Sequence, residues 1–104
     1  MTGEILLIKK SYSKNGDSCR VTFVLPQEVN AKAAYLCGDF TEWEKSCLLM
    51  KQQKDGSFKL TFSFKPGQEY RFRYLLDCVR WENDGTADAY LPNPFGTEDS
   101  VLRV

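Results

Sequence analysis

Two tryptophans stand where a core side chain would be out of place. Trp43 lies in the run Gly38 to Lys45 (GDFTEWEK), and Trp81 in Asp77 to Asp84 (DCVRWEND), each among polar and charged residues. A large apolar ring in a polar loop either folds back as a plug over the end of a domain or faces outward as a contact platform. Outward rings suit sugars: the axial C–H groups of a pyranose form an apolar face that packs on a π system. The sugar's hydroxyls in turn want planar, charge-assisted partners. Arg73 is such a partner, outward by strand parity and close in sequence to Trp81.

Other chemistries find less support. The chain has no histidine, which removes the usual base of serine and cysteine triads and most transition-metal sites. A glycosidase needs only two carboxylates, and Glu82, Asp84, Asp88, Glu98 and Asp99 crowd the last third. Acidic residues in so loop-rich a segment are more often solvated or capping groups. Gly38, Gly56, Gly67, Gly85 and Gly96 are isolated, as turn glycines are, so no phosphate-cradling loop is expected. Cys19, Cys37, Cys47 and Cys78 are scattered without a CxxC pair, and neither a metal nor a cofactor is expected. Four cysteines allow three disulfide pairings. With no export signal in the sequence, a cytoplasmic protein with four free thiols is the expectation.

The elements that must position these residues read as strands. At 104 residues, 42 % of them hydrophobic, the chain is expected to be one domain spanning 1–104. Its 14 basic and 14 acidic residues cancel, unlike the basic footprint of a nucleic-acid binder, and no run approaches a membrane span. Turn signals at Asn15-Gly16, Pro26, Asp55-Gly56 and Pro66-Gly67, then a loop-rich stretch from Asn83 to Gly96, separate short β-branched and aromatic segments. Ser57 to Phe64 alternates without error, and Glu69 to Asp77 sends Tyr70, Phe72, Tyr74 and Leu76 inward with Arg71, Arg73, Leu75 and Asp77 outward. Arg20 to Leu25 and Lys32 to Phe40 add further strands. Ile5 to Tyr12 and Val101 to Val104 supply terminal ones, with Met1 to Glu4 loose. Some seven short strands without helical period predict an all-β, immunoglobulin-like sandwich of two antiparallel sheets. Phe23, Leu36, Phe40, Phe58, Leu60, Phe62, Phe72 and Tyr74 are expected in its core, with Arg71 and Arg73 exposed.

The ordered segments VTFVLP (Val21 to Pro26), AYLCGDFTEW (Ala34 to Trp43), KDGSFKLTFSFKPGQEYRFRYLLD (Lys54 to Asp77) and RWENDGTADAYLPNPFGTEDSVLRV (Arg80 to Val104) carry a resemblance. Over roughly residues 19–104 they resemble the family 48 carbohydrate-binding modules. These include the glycogen-binding domain of AMP-activated protein kinase β subunits and the N-terminal early-set domains of isoamylases and glycogen-branching enzymes. The resemblance is closest to small stand-alone bacterial versions. It implies a non-catalytic module that binds α-1,4-glucan, with a glycogen-metabolising enzyme or regulatory protein as a possible partner. It also implies that Trp43 and Trp81 stack on glucose rings, that Arg73 takes the place of a family lysine, and that Phe95 falls on a late leucine. Thr97 matches a threonine, and Asp99 falls on an asparagine that bonds hydroxyls. The chain departs from the pattern at Cys78, which replaces a turn glycine, and at Asp99.

Two readings follow. One is a glucan-binding targeting or adaptor module; the alternative is a protein-interaction or dimerisation module of the same fold that has lost sugar binding. What separates them is whether Trp43, Trp81 and Arg73 share one exposed concave surface.

Overall fold

The computed structural model describes residues 8–104. Its strands, in chain order, are β1 Ile8–Tyr12, β2 Cys19–Leu25, β3 Ala34–Gly38, β4 Leu48–Leu49, β5 Lys51–Gln52, β6 Phe58–Phe64, β7 Glu69–Leu76, β8 Arg80–Glu82, β9 Ala89–Pro92 and β10 Glu98–Arg103. They make two antiparallel sheets, β1-β2-β6-β5 and β4-β3-β7-β10-β9. β10 pairs the first half of β7 and the short β8 pairs its last three residues, both on the side away from β3. Among the described residues the only helical segments are short 3-10 turns. The fold is the all-β, immunoglobulin-like sandwich that the periodicity predicts. Residues 1–7, with the expected loose start and the first part of the expected terminal strand, lie outside the described residues.

Period-two alternation drives the packing. Cys19, Val21, Phe23 and Leu25 of β2 point inward and meet Ala34 and Leu36 of β3 and Phe72, Tyr74 and Leu76 of β7 in one buried cluster. The Phe23 and Phe72 rings meet edge-on across the sheets at 5.4 Å. Three expected core residues are only half-buried. Leu60 and Phe62 lie beyond Lys59, where β5 stops pairing with β6 and leaves that edge open. Phe40 is not in a strand at all: β3 ends at Gly38, and Phe40 sits in the 3-10 turn Asp39–Thr41. Its ring packs against Phe62, Phe64 and Tyr70 at 5.7, 4.9 and 5.9 Å, closing one end of the sandwich.

Gly38 permits that closure. A Cβ there would come within 2.4 Å of the Arg71 carbonyl oxygen and 2.6 Å of the Phe40 ring, closer than packed atoms tolerate. A second device lies in the stretch expected to be loop-rich. Asp84 is buried, accepting from the Tyr74 hydroxyl at 2.6 Å and from the Thr86 N–H and hydroxyl at 2.7 Å each, while its own N–H donates to Ser100 Oγ at 2.9 Å. Tyr74 is held neutral: burial, then the nearby Asp84 charge, raise its phenol well above the usual range.

Candidate functional site

The outer face of the larger sheet follows from the core. Because Phe72, Tyr74 and Leu76 point in, Arg71, Arg73 and Leu75 point out. Register then sets Cys37 of β3 opposite Arg73, and Trp81 of β8 opposite Leu75. The Arg73 guanidinium carbon lies 5.7 Å from the centroid of the Trp81 ring, within cation–π range. Arg73 Nε is enclosed without a hydrogen-bond partner.

The hairpin that carries Trp81 turns through Leu76 to Val79, closed by the Val79 N–H donating to the Leu76 carbonyl at 3.1 Å. Asp77 and Cys78 both take positive φ, 53° and 60°, the pattern of a type I′ turn, for which glycine is the usual second residue. Asp77 stabilises the turn from the side, its carboxylate accepting from the N–H groups of Lys32 and Ala33 at 2.8 and 3.0 Å. Those backbone bonds, of Ala33 and then Lys32, pull the carboxyl below its usual range.

Trp43 reaches the same face from the other side. Glu42 and Trp43 both adopt φ of 55°, a left-handed conformation that costs a bulky residue on the order of 1–2 kcal/mol. Two restraints hold it. The buried Thr41 hydroxyl accepts from the Gly38 N–H at 2.9 Å and faces the Gly38 and Trp43 carbonyls at 3.0 and 3.1 Å. A disulfide joins Cys37 to Cys47 and so ties both ends of the Trp43 loop together. Four free thiols were expected, and for this pair the expectation is wrong. The turn beyond β3 brings the chain back until the two Cα atoms are 4.7 Å apart, inside bridging range. Cys19, buried, and Cys78, exposed, are the free cysteines.

The third wall is the turn between β9 and β10. Asn93 organises it: Oδ1 accepts from the N–H groups of Phe95 and Thr97 at 3.0 and 3.2 Å, and Nδ2 donates to Thr97 Oγ1 at 2.8 Å and Asp99 Oδ1 at 3.0 Å. Gly96 supplies the positive φ of 80° that closes the turn. The product is a phenylalanine, Phe95, 88 % exposed at the tip. Below it, Asp99 is 4 % exposed and pairs with Arg71 Nη1 at 3.4 Å, while the same nitrogen donates to the Pro92 carbonyl at 3.1 Å. Arg73 Nη1 lies 3.5 Å from Thr97 Oγ1. The two arginines are thus half-buried rather than exposed, because this turn crosses the outer ends of their side chains.

These three walls enclose a groove of about 760 Å³, within the range of small-molecule sites. All six residues singled out in the sequence line it: Trp43, Arg73, Trp81, Phe95, Thr97 and Asp99. Asn93 and Pro94 also line it and were not anticipated; the Asn-Pro dipeptide is a turn-initiation signal that could have shown them. Both tryptophans are half-buried, so they are walls of a groove and not plugs in the core. Two of the other acidic residues of this third of the chain have structural partners. Asp84 is buried in the tyrosine network, and Asp88 bonds Lys10 Nζ at 2.7 Å and the Arg103 N–H at 2.7 Å. Two aromatic walls, a planar cation and a rim of amide, hydroxyl and carboxylate groups can grip a polyhydroxylated ring by its apolar face and its edge.

A family model described as the glycogen recognition site of AMP-activated protein kinase matches residues 20–91. No curated protein matches the chain. The matched segment is well over half of the sequence and includes Trp43, Arg73 and Trp81, while the Asn93 to Asp99 rim lies beyond it. The chain belongs to this glycogen-recognition family, a family of binding modules and not of catalytic domains.

Proposed function

We propose, proceeding from that membership, that the chain binds α-1,4-glucan chains of the glycogen or starch type at this groove and acts as a targeting or adaptor module. In that role it would bring a glycogen-metabolising enzyme or regulatory protein to the polymer. The observation that carries the reading is the convergence of Trp43, Trp81 and Arg73 on one exposed concave surface. In this reading consecutive glucose units stack on the two tryptophans, Arg73 bonds hydroxyls at their edge, and Phe95, Thr97 and Asp99 close one side.

A shallow, wet site loses much of its hydrogen-bond gain to competing water. Maltoheptaose should therefore bind with a Kd on the order of 10 μM to 1 mM, and glycogen more tightly through multivalency. Titrating maltoheptaose while following tryptophan fluorescence and calorimetric heat tests this, with electrophoresis through glycogen-containing acrylamide as the polymer assay. If millimolar sugar changes neither signal and glycogen does not retard the protein, the reading is wrong.

A further inference from the structure

Next to Trp81, outside the groove itself, the outer face of the larger sheet carries an apolar row. Register aligns four outward side chains in one row across four strands: Trp81 of β8 beside Leu75 of β7, Leu75 beside Tyr35 of β3, and Tyr35 beside Leu49 of β4. Parity fixes their side of the sheet, since Ala34, Leu36, Tyr74 and Leu76 on the same strands are all in the core. Leu75 and Tyr35 are half-buried, and Leu49, at the sheet edge, is 61 % exposed. The row holds no charge.

The other sheet supplies an internal control. Its outward rows read Lys9, Thr22, Thr61, then Ser11, Arg20, Ser63, and then Val24, Lys59, Lys51, a largely polar and charged pattern suited to a solvated face. An apolar row on the groove side alone, beginning at a groove residue, calls for an occupant. Three strand spacings of about 4.8 Å by one side-chain repeat give a strip of roughly 14 by 7 Å, on the order of 100 Å². A protein partner needs about 800 Å² on each side. A strip one residue wide fits a chain of sugar rings instead.

We propose that this row is an extension of the groove, on which an α-glucan leaving Trp81 lays further glucose units against Leu75, Tyr35 and Leu49. Each ring offers its apolar C–H face to the row and keeps its hydroxyls in water, so the extension rewards chain length and not the identity of any one sugar. The inference rests on glucan binding at the groove.

Calorimetry with maltotriose and maltoheptaose, on the wild type, Tyr35→Ala and Leu49→Ser, separates the two. Leu49→Ser changes an exposed edge residue, so it keeps the test open even where Tyr35→Ala lowers stability. The expected result is a loss of about three- to tenfold in maltoheptaose affinity in each variant, with maltotriose affinity unchanged. Wild-type affinity for both sugars in Leu49→Ser and Tyr35→Ala overturns the extension while glucan binding stands. Equal losses for both sugars overturn it as well, since the row would then be acting on the groove itself. A wild type that binds neither sugar removes the extension and the glucan reading together.

Discussion

At the scale of single residues, the proposed glucan binding rests most on the two tryptophans, and the buried core cluster does not include them. Both line the groove half-buried, so truncation removes contact area from a ligand and little from the core. Trp43→Ala and Trp81→Ala should each weaken maltoheptaose binding by roughly 1–3 kcal/mol, by analogy with aromatic stacking on nucleobases, with thermal unfolding nearly unchanged. Two alanine variants that unfold would show that the rings are structural plugs. Trp43, Arg73 and Trp81 were legible in the sequence for a physical reason: large rings among polar neighbours and an arginine at outward parity are locally anomalous. Asn93-Pro94 signals a turn, but not that the turn folds over the groove, which the pairing of β9 with β10 decides. Asp99 was legible as a groove residue but not as a buried one; its pairing with Arg71 and Asn93 is set by strands distant in sequence.

At the scale of elements, the long alternating strands could be read directly and the short ones could not. Phe58–Phe64 and Glu69–Leu76 appear as expected in β6 and β7, since each buries one face against the other sheet. Ala89–Pro92 fell inside the stretch read as loop-rich and was not singled out as a strand: four residues ending in proline have no period of their own, and β10 makes them a strand by pairing with them. The Cys37–Cys47 bridge was missed because scattered spacing gives no local signal and the compartment argument favoured reduced thiols. Its consequence is confined to one element, the loop that holds Trp43 at positive φ. Closing so short a loop restrains the unfolded chain by about 2–3 kcal/mol, and reduction removes that restraint at the position where the backbone is strained. Alkylation of denatured, unreduced protein should therefore label two cysteines, Cys19 and Cys78. Dithiothreitol should lower the unfolding temperature and weaken maltoheptaose binding, and Cys37→Ala/Cys47→Ala should behave like the reduced protein. Labelling of all four thiols, or binding indifferent to reduction, would show that the loop holds Trp43 without the bridge.

At the scale of the whole molecule, the sandwich is fastened at its margins by carboxylates, and these set its response to pH. Asp88, ahead of β9, bonds Lys10 on β1 and so links the edges of the two sheets. Burial pushes its carboxyl up, but the Arg103 N–H and the Lys10 ammonium outweigh that and leave it below the usual range. Asp77 is lowered by the Ala33 and Lys32 amides, and Asp55 by the side chain and then the backbone of Ser57. A carboxyl whose folded pKa is depressed stabilises the fold above its unfolded value, about 3.9, and that stability is lost as pH falls through the folded value. Tyr74 is raised in the folded state, so its contribution is complete below its unfolded pKa of about 10 and is lost as pH rises beyond that. With no histidine in the chain, the ordinary side-chain titration between pH 5 and 8 is missing. The unfolding temperature should accordingly stay level from about pH 5 to 8, fall below about pH 4 and fall again above about pH 10. Asp77→Asn keeps an acceptor for both backbone amides without the charge, so it should flatten the acid limb of the profile and leave the alkaline limb alone, whereas Tyr74→Phe should do the reverse. A wild-type profile that slopes through pH 6 to 7, or an Asp77→Asn acid limb as steep as the wild type's, would place the controlling groups elsewhere in the molecule.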